Sequence, residues 1–318
     1  MKNKFALLAA LSALFVLIFA SDEVISSSRY ALGLCAELIF PSLFPFFVIS
    51  SLLAKLGLPA LLEKVFGKAA SKMFKVSGRG ASALFIGLCS GYPMGAAYIV
   101  ELYEDRQIGK NEAEKLLSFC NNSGPAFIIG VVGAGVFHSA KIGLLLYFVH
   151  ALSAVICGVI FRGKGTLQNG TSAEYHQISF SKAFPEAVKQ SVISALNVCG
   201  FVVCFTVFTA LLDANGFLSL FSAWLSSIFH LSLSQCKALI SGIFELGSAA
   251  GLMRGLSPTA DNIALAAGIL GWGGISVHFQ TMAFISDTEI KGTLHFAGRL
   301  LSAVLSFILC YYSLRLFA

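Results

Sequence analysis

"SFCNNSGPAFIIG", residues 118–130, decides how the rest of the chain is read. Two asparagines, a serine, a glycine and a proline stand together in a chain that is 57% hydrophobic. Proline removes a backbone donor and asparagine competes for backbone hydrogen bonds, so ordinary helix should stop here. A break of this kind in oily sequence demands a use.

The surrounding composition fixes the solvent. With 318 residues, 12% charged side chains and a mean hydropathy of +0.82, the chain has too few charges to cover a soluble globule. It reads as an integral membrane protein. Apolar runs recur from end to end: 5–20, 30–54, 81–102, 116–136, 142–161, 192–212, 238–253, 263–285 and 294–317. No stretch is left for a soluble domain. Lys2 and Lys4 before the first run resemble a signal peptide. A small-residue cleavage site is not clear, however, and further spans follow at once, so this run reads as an uncleaved first span.

The formal charge of +6 does not point to nucleic acid, because the basic residues border apolar runs, where lysine and arginine set orientation. Eight cysteines, at positions 35, 89, 120, 157, 199, 204, 236 and 310, form no CxxC pair and lie in or beside apolar runs. They read as small buried side chains, with no metal and no cofactor implied.

Lys55, Lys64, Lys68, Lys72, Lys75 and Arg79 lie in or beside "PALLEKVFGKAASKMFK" (59–75), whose apolar residues recur at helical spacing. This is expected to be an amphipathic helix on the cytoplasmic face, which places the N-terminus inside as well. "ISSLLAKLG" (49–57) aligns with "FTALLDANG" (208–216), "GLCSGYPMG" (87–95) with "GIFELGSAAG" (242–251), and "HALSAVICGVI" (150–160) with "RLLSAVLSFIL" (299–309). The matches keep one order, at offsets of 159, 155 and 149 residues, as a duplication would leave them. The counterpart of the lysine-rich segment, "GFLSLFSAWLSSIFH" (216–230), holds no lysine or arginine and so should face outward. Two similar halves of opposite orientation make an inverted repeat, a frequent build for secondary transporters.

Four breaks pair between those halves. "CSGYPMG" (89–95), with Gly91, Tyr92, Pro93 and Gly95, and "ELGSAAG" (245–251), with Glu245, Gly247 and Ser248, read as tips of re-entrant hairpins. "CNNSGP" (120–125), with Asn121, Asn122, Ser123, Gly124 and Pro125, and "GWGGIS" (271–276), with Trp272, Gly273 and Gly274, read as unwound helices. Irregular backbone at membrane depth is tolerated only where protein or a wet cavity surrounds it, so the four should meet around a binding site. Half-helices beginning after each break offer free N–H groups and a positive dipole end, suited to a small, polar, anionic solute. The asparagines and Ser123 add donors and acceptors, and Tyr92 and Trp272 offer rings for stacking. The bland alternative makes Asn121, Asn122 and Ser123 ordinary contacts between helices.

Glu245, a carboxylate inside "LISGIFELGSAAGLM" (239–253), is a functional residue by default: a cation ligand, a proton shuttle or a donor to substrate. Its bland alternative is a tip residue in a vestibule. Glu37 is a weaker case, His278 and Gln280 follow the second break, and Pro41 and Pro45 should bend or break the second span. The chain contains no GxSxG or HExxH, so an enzyme is not expected.

"FPSLFPFFVISSLL" (40–53), "GYPMGA" (91–96), "EAEKLLSFCNNSGPAFIIGVVG" (112–133) and "FELGSAAG" (244–251) resemble the YlbJ family of sporulation integral membrane proteins, within the wider group carrying nucleoside-recognition Gate domains. The resemblance covers about residues 30–315 and implies the hairpins and unwound helices of concentrative nucleoside transporters. It also implies a role in endospore formation, with dipicolinic acid moving from the mother cell toward the forespore. The nucleoside transporters' Asn-Glu-Phe substrate motif is absent, which argues against nucleosides.

The expectation is thus an all-α polytopic membrane bundle with an inverted repeat, two re-entrant hairpins and two unwound helices. Its parts are a first helix and outer loop (1–29), one repeat (30–165), a linker (166–185) and the inverted repeat (186–318). Its partners are the bilayer and a small solute, with a coupling proton or sodium ion and an oligomer left open. A membrane scaffold or regulator of spore formation is the rival reading.

Overall fold

The computed structural model describes residues 2–163 and 178–316, and all regular structure among them is helical. Residues 166–177 of the expected linker lie outside the described residues. After α1 (Lys2–Phe19), two helical series follow in the same order. The first runs α2 (Ser21–Leu34) continued by α3 (Phe40–Lys55), α4 (Leu58–Phe74), α5 (Gly78–Ser90), α6 (Met94–Glu104), α7 (Lys110–Cys120), a wide helix at Ala126–Val136, and α8 (Ala140–Ile160). The second runs α9 (Phe180–Ala214), α10 (Phe217–Phe229), α11 (Leu233–Phe244), α12 (Leu246–Met253), α13 (Ala260–Trp272), α14 (Gly274–Ile285) and α15 (Thr293–Leu316).

The punctuation repeats with the elements. Gly57 and Gly216 stand in the left-handed region before α4 and α10, and Lys75 and His230 do so after them. Ser77 and Ser232 then cap α5 and α11, each hydroxyl accepting from a backbone N–H of the first turn. Two offset copies of one pattern of turns and caps are what a duplicated gene leaves behind.

Length decides which helices cross. Ser21–Lys55, Ala140–Gly163, Phe180–Ala214, Ala260–Ile285 and Thr293–Leu316 are long and apolar enough. The α5, α6, α11 and α12 helices have 13, 11, 12 and 8 residues, about 12–20 Å at 1.5 Å each, short of the roughly 30 Å hydrocarbon core. They form two hairpins that enter and return. The five long helices are the first and last of each half and the broken helix of the second; the broken helix of the first half is the shorter pair α7 and Ala126–Val136.

Pro41 and Pro45 do not break the second span as the sequence suggests. Helix runs through Ser21–Lys55, with a π-helical turn at Cys35–Ile39 just ahead of Pro41. Widening the helix there accommodates a residue with no N–H to give and a ring that would crowd the preceding turn. In α4, Leu62, Ala70 and Phe74 are buried while Leu61, Val65 and Phe66 stay exposed between lysines, as an interfacial helix requires. Its partner α10 exposes Leu220, Trp224 and Phe229, and meets α11 at 115°.

Candidate functional site

The four breaks come together. At the first hairpin tip, Gly91 holds φ +81°, and a Cβ there would stand 2.5 Å from the nitrogen of Gly124 in the first broken helix. Gly95, one turn on, is equally tight: a Cβ would lie 2.6 Å from the carbonyl oxygen of Cys120. In the second half, a Cβ on Gly274 would meet the carbonyl of Phe244 at 3.0 Å and Glu245 at 3.3 Å. Across the halves, a Cβ on Gly273 would lie 2.8 Å from the Tyr92 hydroxyl. Each tip therefore touches the break of its own half, and the first tip also reaches the break of the other.

Between them lies a chamber of about 50 Å³. Gly91 and Tyr92, Ser123 and Gly124, and Glu245 and Leu246 line it from the two tips and the first break, and Ser276, Val277 and Gln280 line it from α14, just after the second break. Ile39, Leu43, Phe127, Val198 and Val202 wall it. That volume holds a few water molecules and no ring-sized solute.

The first break is four residues of irregular backbone, Asn121 to Gly124, and its polar groups are divided. Asn121 is a cross-brace: its Oδ1 accepts from the N–H of Ala96 at 3.3 Å and its Nδ2 donates to Thr281 Oγ1 at 2.8 Å, joining both halves. Asn122 donates to the carbonyl of Phe119 at 2.8 Å, closing the end of α7, while its Oδ1 is buried without a partner. The Ser123 N–H donates to His150 Nε2 at 3.1 Å, and its buried hydroxyl has no partner. Pro125 precedes the wide helix Ala126–Val136. The second break is smaller than "GWGGIS" suggests, since Gly273 alone stands outside helix. Gly273 and Gly274, both near φ +86°, turn the chain there.

Glu245 is buried, at 3% exposure, and is committed to the backbone. It caps α12, its two carboxylate oxygens accepting from the N–H groups of Gly247 at 2.8 Å and Ser248 at 2.5 Å. The bland reading of a tip exposed in a vestibule does not describe it. Gly247 sits beneath that carboxylate, where a Cβ would lie 3.2 Å from an oxygen. Ser248 points elsewhere and shares a hydrogen bond of 2.9 Å with Thr206. Pro93 completes the tip turn and joins Tyr92 by a cis peptide.

Trp272 does not stack in the chamber. Its indole donates to the carbonyl of Ile243 at 3.0 Å, rests 4.4 Å from the His278 ring, and lines a separate apolar groove with Leu239, Leu265 and Phe307. The physical reason is local: with only one residue unwound, Trp272 remains the last residue of α13 and keeps that helix's outer face. Among the described residues, no three His, Cys, Asp or Glu side chains converge as metal ligands would.

Arg299 escaped the reading of the sequence. It is fully buried in α15, and its Nη1 donates to the Tyr92 hydroxyl at 3.2 Å. An arginine inside the apolar run 294–317 was the available signal.

No protein-family model matches the chain. It is 31% identical over 303 residues to the sporulation integral membrane protein YlbJ of Bacillus subtilis (strain 168), a match that covers 87% of this chain and 74% of the relative. Among solved structures it is similar in fold to CNTnw in an inward-facing substrate-bound state, with TM-score 0.62 and 13% identity, covering 97% of this chain and 84% of the other. It is also similar to an outward-facing state of a CNTnw variant, with TM-score 0.56 and 13% identity over 99% and 84%. The fold is that of the concentrative nucleoside transporters.

Proposed function

Because the chain belongs to the YlbJ family of sporulation integral membrane proteins, we propose that it carries a small polar anion across a membrane during endospore formation, and that the solute is dipicolinic acid moving from the mother cell toward the forespore. One observation carries this reading: both hairpin tips, the first break and the helix that starts at the second break line a single chamber. Backbone left irregular at that depth is expensive unless it serves a solute or an ion.

The chemistry of the lining suits a small polar solute. Ser123, Ser276 and Gln280 supply hydroxyls and an amide and Tyr92 its ring, while the carboxylate of Glu245 is held by its own helix. A flat dicarboxylate would find donors there and a tyrosine face. Tyr92, Pro93, Asn121, Asn122, Ser123, Glu245, Ser248 and Trp272 divide into chamber groups (Tyr92, Ser123, Glu245), braces (Asn121, Asn122, Ser248), a turn (Pro93) and an outer-face ring (Trp272). In this scheme residues 30–165 and 186–318 are the two repeats, and the N-terminus and the lysines of α4 lie on the cytoplasmic side. The membrane is the mother-cell-derived one around the forespore. A proton or sodium gradient, or consumption of the solute downstream, drives the movement.

A membrane scaffold for spore assembly is the competing account, and a cell experiment separates them. In a sporulating strain depending on this protein, Asn122→Ala and Glu245→Ala at normal abundance should leave spores poor in dipicolinate while the protein stays in place. Spores of ordinary dipicolinate content from both variants would favour the scaffold.

A further inference from the structure

The two repeats place a basic side chain at the same position, one turn from the contact that relates them. The alignment of 150–160 with 299–309 pairs His150 with Arg299, as it pairs Ser153 with Ser302. The two serine hydroxyls lie 2.9 Å apart between α8 and α15. His150 and Arg299 each stand three residues before their serine, hence on the same helical face. Both are buried, at 1% and 0% exposure. His150 takes the Ser123 N–H at the first break, and Arg299 takes the Tyr92 hydroxyl at the first tip. Both partners line the chamber.

What these groups lack is a counter-charge. Arg299 Nε and Nη2 are buried with no hydrogen-bond partner, and none of the ion pairs among the described residues includes Arg299. His150 accepts at Nε2, so Nδ1 carries the proton, and that donor too is buried and unpartnered. Both nitrogens of His278 are in the same position. An unpaired guanidinium in the membrane interior is among the most costly arrangements a protein can keep, and a bare set of donors is complete only when an acceptor arrives.

We propose that Arg299, with His150 as its partner from the other repeat, is the receptor for the anionic group of the solute. The Tyr92 hydroxyl covers the guanidinium here and gives way to the solute. The solute class is a carboxylate anion, because a planar guanidinium pairs a carboxylate through two parallel N–H bonds. This rests on the carrier reading above and adds to it the residue that selects charge.

The test is equilibrium binding of labelled dipicolinate to the full chain in lipid nanodiscs, with neutral uridine as the comparison ligand. Arg299→Gln should weaken dipicolinate binding at least about tenfold, the loss of one charged hydrogen bond, and Arg299→Lys should weaken it less. Arg315→Gln, changing an arginine on the exposed part of the same helix, should leave it alone. Should Arg299→Gln fail to fold, Tyr92→Phe strips the guanidinium of its protein partner while keeping the ring. Dipicolinate should then raise the melting temperature more than it does in the wild type. Wild-type binding of dipicolinate by Arg299→Gln, an equal or smaller rise in Tyr92→Phe, or no dipicolinate binding by the wild type would overturn the assignment. Arg299-dependent binding without flux in liposomes would uphold the receptor and sink the carrier. Flux indifferent to Arg299→Gln would do the reverse.

Discussion

The hydroxyls of Ser153 and Ser302 lie 2.9 Å apart in the fully buried seam between α8 and α15. They open the two Ser-Ala-Val triplets, 149 residues apart. When equivalent residues of two repeats touch each other, the axis relating the repeats passes between them. The other neighbours of α15 also come close: a Cβ on Gly271 of α13 would lie 2.6 Å from the carbonyl of Ser302, and one on Gly298 would collide with the carbonyl of Ser118 in α7. Ser302→Ala should cost under about 1 kcal/mol, the ordinary worth of a hydrogen bond between membrane helices. Ser302→Leu should cost about 1–3 kcal/mol through overpacking. Thermal unfolding in detergent reads both, and a leucine variant as stable as the alanine one would mean the seam is looser than described.

Gly91 should tolerate no side chain. At φ +81° an alanine is strained by about 1–3 kcal/mol, and its Cβ would press on Gly124. Gly91→Ala is expected to lose transport and stability together. Gly130→Ala, where nothing lies within 4 Å of the added methyl, should be neutral or slightly stabilising. Melting temperatures and solute uptake for the pair check this, and equal behaviour of the two would contradict the contact between tip and break.

Glu245 should behave as a cap. Glutamine keeps the shape but offers one acceptor oxygen where two backbone N–H groups now find one each. Glu245→Gln should lose about 1–3 kcal/mol, the penalty for an unmet buried donor, and keep whatever dependence on a proton or sodium gradient the wild type has. Uptake measured against imposed gradients is the check. Loss of gradient dependence at unchanged stability would instead make the carboxylate an ion ligand.

Asn121 should be needed as a tie between halves. Thr281→Val removes the acceptor of its Nδ2 without changing bulk, and should lower stability by about 1 kcal/mol. Adding Asn121→Ala should then cost less than it does alone. A double-mutant cycle on unfolding measures the coupling, and additive effects would show that the bond carries no energy.

The architecture was legible because glycine, proline and asparagine are conspicuous in apolar sequence. "GYPMG", "CNNSGP" and the glycines after Trp272 mark three of the four breaks, "ELGSAAG" marks the fourth, and the Ser-Ala-Val match marks the seam. Roles were less legible, because they depend on which way a side chain points. Trp272 looked like a stacking ring, but the single-residue break leaves it on the outer face of α13. Glu245 stands out in the sequence as a functional carboxylate, but that both its oxygens cap its own helix is visible only in the fold. Arg299 is hard to tell in sequence from the arginines that set orientation at helix ends, and only its alignment with His150 sets it apart.

Flux through the purified protein tests the central claim most directly. With the chain in liposomes, labelled dipicolinate should accumulate under an imposed proton or sodium gradient, uridine should not, and Gly91→Ala should abolish the signal. Failure of dipicolinate, uridine and phosphate all to move, with the protein folded and inserted, would contradict a carrier.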